Sequence, residues 1–322
     1  MNEQILINGD SKNKLKDIQD GSIDYLLTDP PYGISFMNKG WDKVLPDVEV
    51  WKECFRVLKP GSFISVMSSP RSDVLYRMIK DLEDAGFDMS FSPILWTYHT
   101  GFPKASDTSK MIDKRLGAER KVVGIDEERY KRLKNQTEKY ISPNGLETTN
   151  RDFTITEPST DLAQKYEGSK LGFQPKPAIE HVIVGMKPHG QKSYIDNVLN
   201  FEALPDNVKK TYPFIQTPKP PKKEKNIGIT DLDKNGHPTV KPVKLMSYLT
   251  TLFTREGDYV LDPFMGSGTT GLSSKLLNRN FIGIELEEES FNISSERLSV
   301  ERDTLINYFK DVLTNEQTKL DI

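Results

Sequence analysis

Short apolar runs alternate with stripes of apolar residues at helical spacing, and this alternation constrains the fold more than any other feature of the sequence. Runs of four to eight apolar residues are typical of strands, and apolar residues recurring every three or four positions indicate helices. Strand–helix–strand alternation at this spacing predicts a parallel α/β sheet. Pro60 and Gly61 are expected to stop the first of the long helices. The predicted strands are 23–27, 62–67, 89–96, 177–186, 259–261 and 281–284, and the predicted helices are 50–58, 74–85 and 242–253.

Two polar stretches interrupt this pattern and carry a local excess of positive charge. Residues 99–151 contain 12 basic and 8 acidic residues, and apolar periodicity stays weak as far as residue 176. Residues 206–225 contain 6 lysines, 2 acids and four prolines, which predicts an extended, semi-rigid segment. Residues 284–322 are acidic, with 10 acids and 4 bases. The chain therefore consists of an α/β core with basic insertions, and a solvated loop is the alternative interpretation of each insertion.

The composition excludes several classes of protein. The net charge is −3, so the total charge favours no partner, and only the distribution of charge is informative. A single cysteine, Cys54, rules out an intrachain disulfide framework and a multi-cysteine zinc site. The four histidines show no spacing typical of a metal site, and we predict no metal. We find no signal peptide and no apolar stretch long enough to span a membrane, so we expect a soluble protein of the cytoplasm that has no membrane partner.

A glycine-rich motif at 262–271 follows a short apolar strand and precedes a helix. Such a turn lets the backbone approach a ligand, and Glu285, seventeen residues after Gly268, ends the next predicted strand, where an acid could bind the two hydroxyls of a ribose. The glycines do not match the dinucleotide fingerprint, and Asp262 would repel a pyrophosphate. An acid at that position suits a cationic group such as an α-ammonium. A tight strand-to-helix turn without a ligand is the alternative interpretation.

A second motif, at residues 28–33, also follows an apolar strand. Consecutive prolines at 30 and 31 fix the backbone and remove two donors, so that the carbonyl between them can act as a rigid acceptor. Asp29 supplies a second acceptor, and Tyr32 supplies a flat aromatic face. These groups describe a pocket for a planar molecule with an exocyclic amino group. A proline-punctuated loop with Asp29 as a helix cap is the alternative.

Together, the two motifs resemble those of the amino-group DNA methyltransferases that use S-adenosylmethionine. The order of the motifs, catalytic before cofactor-binding, is similar to that of the β group of this family. The resemblance implies a Rossmann-like, mostly parallel methyltransferase sheet of about seven strands, circularly permuted, with polar target-recognition insertions. Residues 58–61 and 237–242 match further segments of the family. The implied catalytic residues are Asp29, Pro30, Pro31 and Tyr32, and the implied cofactor-binding residues are Asp10, Thr239, Lys241, Asp262, Phe264, Gly266, Ser267, Gly268 and Glu285.

The resemblance implies direct methyl transfer to adenine N6 in a specific duplex sequence. Hydrogen bonds from the amino group to Asp29 and to the Pro30 carbonyl would localise the nitrogen lone pair towards the methyl donor. Cytosine N4 is the first alternative, and Asp29 favours adenine because the family's cytosine enzymes more often carry serine there. A methyltransferase-like module that binds DNA without catalysis is the second. No cysteine nucleophile is needed, and we assign Cys54 to helix packing.

Double-stranded DNA is the expected partner, and the basic insertions are expected to bind it. A loop with Phe36, Lys39 and Trp41 could close over a flipped base. We also expect a homodimer. The predicted regions are a catalytic half at 1–98, a candidate target-recognition insertion at 99–176, a return strand at 177–188, a basic insertion at 189–236, a cofactor-binding half at 237–300 and an acidic tail at 301–322. The basic and aromatic candidates for DNA contact are Tyr98, His99, Phe102, Lys104, Lys110, Lys114, Arg115, Arg120 and Lys121.

Overall fold

The computed structural model describes residues 2–33, 44–98, 106–128, 153–171, 178–203, 213–229, 235 and 239–310. Within these residues the chain forms two compact units, Met1–Thr100 with Ala178–Ile322, and Gly101–Pro177. No helix in the described ranges is both long and apolar enough to cross a membrane. The strands are β1 (Gln4–Asn8), β2 (Ile23–Thr28), β3 (Leu58–Ser68), β4 (Ile94–Thr97), β5 (Ser106–Asp107), β6 (Val122–Ile125), β7 (Thr154–Thr156), β8 (Lys170–Leu171), β9 (Ile179–Met186), β10 (Phe214–Gln216), β11 (Tyr259–Asp262) and β12 (Asn280–Glu285).

The helices of the first unit lie between its strands in the chain or, for the last two, follow its final strand, and a short 3-10 turn follows the first helix. Those of the second unit are α4 and α5. The helices are α1 (Ser11–Lys14), α2 (Val48–Val57), α3 (Ser72–Asp84), α4 (Thr108–Leu116), α5 (Asp161–Lys165), α6 (Tyr194–Phe201), α7 (Lys222–Lys225), α8 (Val243–Phe253), α9 (Thr269–Leu276), α10 (Glu288–Ser299) and α11 (Arg302–Tyr308).

The first unit is built on an eight-stranded sheet in the order β1-β12-β11-β2-β3-β9-β4-β10. All neighbouring strands are parallel except β9, which runs antiparallel to both β3 and β4. The predicted α/β class and mainly parallel sheet are therefore confirmed. Because β1, β12, β11 and β2 are parallel neighbours, their carboxyl ends lie along one edge of the sheet.

Helices cover both faces of the sheet, so β2 is buried along its whole length. Tyr25 and Leu27 join the apolar cluster that includes α8, and the ring of Tyr25 lies 5.4 Å from that of Phe253. Leu26 points to the opposite face and belongs to a second cluster with Trp51 of α2. Strands buried on both faces are typical of parallel sheets, and this burial fixes the end of β2, where the first motif begins.

Two of the predicted boundaries are wrong. The predicted strand at 89–96 begins only at Ile94, because Pro93 lacks a backbone donor for the sheet and only an isolated bridge joins Asp88 to Met186. The predicted strand at 62–67 begins earlier, at Leu58, directly after helix α2 ends at Val57. No separate turn lies between them, because Leu58 is already extended and pairs with Ile23 of β2.

The segment predicted to be extended and semi-rigid contributes a strand and a helix. Phe214–Gln216 forms β10 at the edge of the sheet, parallel to β4, so the sheet has eight strands instead of about seven. Helix α7 lies in the same segment, helix α6 precedes it in the chain, and neither has a counterpart among the predicted helices. Strand β10 was not predicted because three residues are too few to show an apolar periodicity.

The second unit enters the chain between β4 and β9, two strands that pair directly. Thr97 is the register partner of Ile179, and the Tyr98 backbone N–H donates to the Ala178 carbonyl at 2.8 Å. The unit contains two small antiparallel pairs, β5 with β8 and β6 with β7. It is therefore an insertion at the open end of a strand pair that belongs to the sheet of the first unit.

Candidate active site

Four acidic residues stand at the carboxyl ends of four neighbouring parallel strands. Asp10 follows β1, Glu285 ends β12, Asp262 ends β11 and Asp29 follows β2. Ligands of open α/β sheets bind at this edge. A row of carboxylates repels a pyrophosphate and attracts a ligand with positive charge. This row of acceptors therefore suits a cationic ligand that also carries hydroxyl groups.

The glycine-rich loop is tied to the end of β12 through Glu285. The Gly266 N–H donates to one carboxylate oxygen of Glu285 at 2.7 Å, and the Glu287 N–H donates to the other at 2.8 Å. Gly266 and Gly268 both have positive φ, at 54° and 80°, and Gly268 caps helix α9. Burial raises the pKa of Glu285, although the backbone donors act in the opposite direction. Each of its oxygens can accept a further hydrogen bond, as a ribose hydroxyl pair would need.

Asp262 joins three segments of the site. One carboxylate oxygen accepts from the Thr28 hydroxyl at 2.6 Å and from the Phe264 N–H at 3.1 Å, and the other accepts from the Thr270 hydroxyl at 2.6 Å. The side chain is buried, and burial raises its pKa to about 6. The predicted contact with an ammonium group stays a prediction. The structure shows that the hydrogen bonds of Asp262 stabilise the turn between β11 and α9.

Ser267 is buried, and Phe264 is partly buried against the apolar cluster that contains Trp51. The Ser267 hydroxyl accepts from the guanidinium of Arg297 at 3.1 Å, and the same guanidinium also donates to the Ser267 carbonyl. Arg297 is completely buried, and burial lowers its pKa to about 10. The Phe264 ring lies 5.7 Å from the Trp51 ring, nearly edge-on. Sequence reasoning missed Arg297, because one basic residue within a helical pattern gives no signal.

Asp10 and Thr239 lie at the periphery of this edge. Asp10 is exposed and caps α1, with its carboxylate accepting from the Lys12 N–H at 3.0 Å. Its predicted contact with the cofactor remains a prediction. Thr239 is partly exposed, and its neighbours at 237 and 238 lie outside the described residues.

The second motif forms a compact cluster of charged and phenolic groups around Asp29. The Tyr32 hydroxyl donates to one oxygen of Asp29 at 2.7 Å, and the Lys241 ammonium contacts the other. Glu180 lies on the far side of the lysine, with 3.4 Å between its carboxylate and Lys241 Nζ. Tyr32 and Lys241 are thus shared between two carboxylates, because the Tyr32 hydroxyl also lies 3.4 Å from Glu180. Within the motif, Pro30 is buried and Pro31 is partly exposed.

Burial and charge act on the titrating groups of this cluster in opposite directions. Burial disfavours the Lys241 ammonium, but the neighbouring carboxylates outweigh it and raise the pKa of Lys241 above its ordinary value. Burial also raises the pKa of Tyr32, and both carboxylates add to the effect. At neutral pH the cluster therefore contains a protonated lysine and a neutral phenol.

Glu180 belongs to this cluster although the sequence interpretation did not assign it, and Tyr98, predicted as a DNA contact, is buried within the cluster instead. Glu180 lies in β9, and the Tyr98 hydroxyl donates to it at 3.3 Å. The ammonium of Lys219 lies 4.6 Å from the centre of the Tyr98 ring. The available signal was an acid inside the otherwise apolar run at 178–186. Lys241 was assigned to the cofactor, whereas the structure places it against the catalytic motif.

Several of the predicted DNA contacts can be located in the second unit. Lys110, Lys114, Arg115 and Lys121 are exposed. Arg120 is different, because its guanidinium forms an ion pair with the buried Asp113 at 2.7 Å and therefore serves the unit's own packing. His99, Phe102, Lys104, Phe36, Lys39 and Trp41 lie outside the described residues.

Comparison with known proteins gives consistent matches. A family model described as DNA methylase matches residues 23–296. The type II methyltransferase M2.DpnII of Streptococcus pneumoniae is 52% identical over 68 residues, which cover 21% of this chain and 25% of that protein. The DNA adenine methyltransferase YhdJ of Escherichia coli strain K12 is 26% identical over 312 residues, which cover 92% of this chain and 82% of that protein.

Solved structures agree with the fold. The crystal structure of the M1.HpyAVI–SAM complex has a TM-score of 0.52 at 20% identity and covers 92% of this chain and 100% of that one. The PvuII DNA methyltransferase, described as cytosine-N4-specific, has a TM-score of 0.54 at 18% identity and covers 98% and 94%. At these identities the similarity is evidence for the fold alone.

Proposed function

Since the chain belongs to the DNA methylase family whose model matches residues 23–296, we propose that it transfers a methyl group from S-adenosylmethionine to the N6 amino group of adenine in a specific duplex sequence. The observation that carries the proposal is the cluster around Asp29, which lies at the same edge of the sheet as the glycine-rich loop. The cluster offers the Asp29 carboxylate as an acceptor, and Glu285, held by the Gly266 N–H, offers another at the glycine-rich loop.

The residues at the carboxyl edge fit S-adenosylmethionine better than a dinucleotide. When bound, this cofactor would supply a methyl group activated by a sulfonium. Glu285 would bind the ribose hydroxyls, Asp10 would lie towards the adenine, and the row of four carboxylates would favour a cation. The name of the M1.HpyAVI–SAM complex supports the same cofactor.

Asp29 and the Pro30 carbonyl would hold the two N–H groups of the target amino group. Such hydrogen bonds draw the nitrogen away from conjugation with the ring and expose its lone pair on the side of the methyl donor. After transfer, Asp29 would accept the proton that the nitrogen gives up. Burial of the cluster strengthens each of these contacts, because a hydrogen bond to a charged group is stronger away from water.

A base inside a duplex cannot reach this cluster, so we infer that the target adenine leaves the stack. Extrusion costs a few kcal/mol, and stacking on the Tyr32 ring would offset roughly 1–3 kcal/mol of it. The exposed basic residues of the second unit, including Lys110 and Lys121, would bind DNA phosphates and make the affinity for DNA depend on salt concentration. Assignment of target recognition to this unit is part of the proposal.

Cytosine N4 is the second candidate acceptor, because the same chemistry serves both amino groups. Asp29 supports adenine, since cytosine enzymes of the family more often carry serine at this position, and the name of YhdJ supports it as well. The PvuII enzyme is described as cytosine-N4-specific, so the test below also measures N4-methylcytosine. A non-catalytic DNA-binding module is less favoured, because Asp29, Tyr32, Gly266, Gly268 and Glu285 are all present.

The test is to incubate the purified protein with unmethylated genomic DNA and S-adenosylmethionine and to quantify methylated nucleosides by mass spectrometry. We expect N6-methyladenine from the wild type and none from Asp29→Ala, while the cofactor dissociation constant changes by less than about threefold, because the cofactor is bound mainly at the glycine-rich loop. N4-methylcytosine would overturn the base assignment. Absence of any methylated nucleoside would overturn the enzymatic proposal.

The matched control is Asp24→Ala. Asp24 lies in β2, at the end opposite the motif. Like Asp29 it pairs with a lysine, Lys59, at 2.6 Å, and it is buried whereas Asp29 is partly exposed. We expect this variant to lose stability and to retain methyl transfer. Equal loss of transfer in both variants would show that Asp29 acts through folding and not through chemistry.

A further inference from the structure

Both carboxylate oxygens of Asp29 already accept from donors within the protein. One accepts from the Tyr32 hydroxyl at 2.7 Å, and the other contacts the Lys241 ammonium. In the function proposed above, Asp29 must accept from the amino group of the target base, which is also a donor. An ammonium in direct contact neutralises the carboxylate and weakens it as an acceptor for a second donor. Asp29 would therefore be a stronger acceptor for the target amino group once the resident lysine loosens its contact.

Lys241 has a second acceptor close by. Its Nζ lies 3.4 Å from the Glu180 carboxylate, so a small rotation of the side chain would complete that ion pair. The Lys241 side chain is 7% exposed, so its ammonium cannot exchange a carboxylate partner for water. A buried charge without a partner is strongly unfavourable. The position of Glu180 is therefore what would allow Lys241 to move from Asp29 at low cost.

Glu180 is held in place independently of Lys241. Glu180 pairs in register with Trp96 of β4, and its carboxylate accepts from the Tyr98 hydroxyl at 3.3 Å. A carboxylate fixed by a strand and by a phenol can receive the ammonium without moving itself. Glu180 is thus built as an anchor, and Lys241 is the mobile partner.

We propose that Lys241 and Glu180 are positioning residues that act as a pair: Lys241 orients Asp29 in the free enzyme and transfers to Glu180 when the target amino group enters, which releases Asp29 to accept from it. This inference rests on the proposed function. It assigns Lys241 a role in the catalytic cluster in place of the cofactor contact that family resemblance implied.

The test is a double-mutant cycle with Glu180→Gln and Lys241→Met in methyl transfer to unmethylated DNA. Gln keeps the shape of Glu180 but removes the charge that would receive the ammonium. We expect Glu180→Gln to lower kcat by about tenfold or more in the wild type and by less than about twofold in the Lys241→Met background. We expect the KM for S-adenosylmethionine to change by less than about twofold in Glu180→Gln, which separates the effect from cofactor binding.

Two further variants keep the test decisive. Lys241→Arg retains the charge and should keep a larger kcat than Lys241→Met. Lys241→Gln also removes the charge and can replace Lys241→Met in the cycle if that variant does not fold. Lys59→Met removes the lysine that pairs with Asp24 at the other end of β2 and should leave kcat unchanged. The inference would be overturned if the two single-variant decreases in kcat multiplied in the double variant, or if Glu180→Gln kept the wild-type kcat. A wild type that forms no methylated nucleoside would instead overturn the proposed function.

Discussion

The buried carboxyl group of Asp262 makes the stability of this protein depend on pH in a way that one substitution should remove. Burial raises the pKa of Asp262 to about 6, from an ordinary value of 3.8. Between these two pH values the folded protein holds a proton that the unfolded chain has released. The contribution of this group to the free energy of unfolding is therefore greatest below pH 3.8 and is lost as the pH rises through about 6.

The size of the effect follows from the two pKa values. Each tenfold difference in proton affinity corresponds to about 1.4 kcal/mol, so the wild type should lose about 2 kcal/mol of unfolding free energy between about pH 4.5 and about pH 7.5. Asp262→Asn has no such group and should not lose it. The amide fits the site, because its oxygen can accept from Thr28 and Phe264 while its N–H donates to Thr270, whose hydroxyl can rotate.

The assay is urea unfolding of the wild type and of Asp262→Asn at a series of pH values across this range. Titration of all other groups is common to the two proteins and cancels in the difference between their unfolding free energies. That difference should move in favour of the variant by about 2 kcal/mol as the pH rises. Parallel curves would refute the reasoning, because they would mean that Asp262 is ionised to the same extent in the folded and unfolded chains.

Two further predictions concern the cofactor and the insertion. Glu285→Ala should weaken S-adenosylmethionine binding by about tenfold or more, since it removes charge-assisted hydrogen bonds, and calorimetric titration that gives an unchanged dissociation constant would remove Glu285 from the ribose site. Replacing residues 99–177 with a short glycine-containing turn should leave the sheet folded, because Thr97 and Ile179 are register partners. That variant should bind the cofactor normally and lose sequence-specific DNA binding, and specific binding in a gel-shift assay would contradict the role given to the second unit.

The sequence predictions of strands and turns were correct where the sequence pattern is local. The apolar run before Asp29 and the short strand before Asp262 each identify a buried strand, and proline or glycine then marks the turn at its end. These signals arise within a few residues, because burial of a strand and the backbone needs of a turn are local properties. They were sufficient to predict the sheet, the edge that carries the site and the place of both motifs.

The errors occurred where a neighbour in space decides the conformation. Residues 214–216 have little strand signal of their own and become a strand only because the edge of β4 is available to pair with them. Leu58 could not be recognised as the start of a strand, since the pairing with Ile23 across the sheet determines it. In each case hydrogen bonds to a distant segment outweigh weak local preferences.

The sequence by itself determined the fold class and the resemblance to a family, and it predicted Asp29, Tyr32 and Glu285 as site residues. Only the tertiary structure decided which charges meet. Lys241 lies 212 residues from Asp29 in the chain, and Glu180 reaches the same cluster because β9 runs antiparallel between β3 and β4. No spacing in the sequence encodes such a contact, because ion pairs between distant segments depend on strand order and direction. Those properties follow from burial of the whole sheet and not from any single motif.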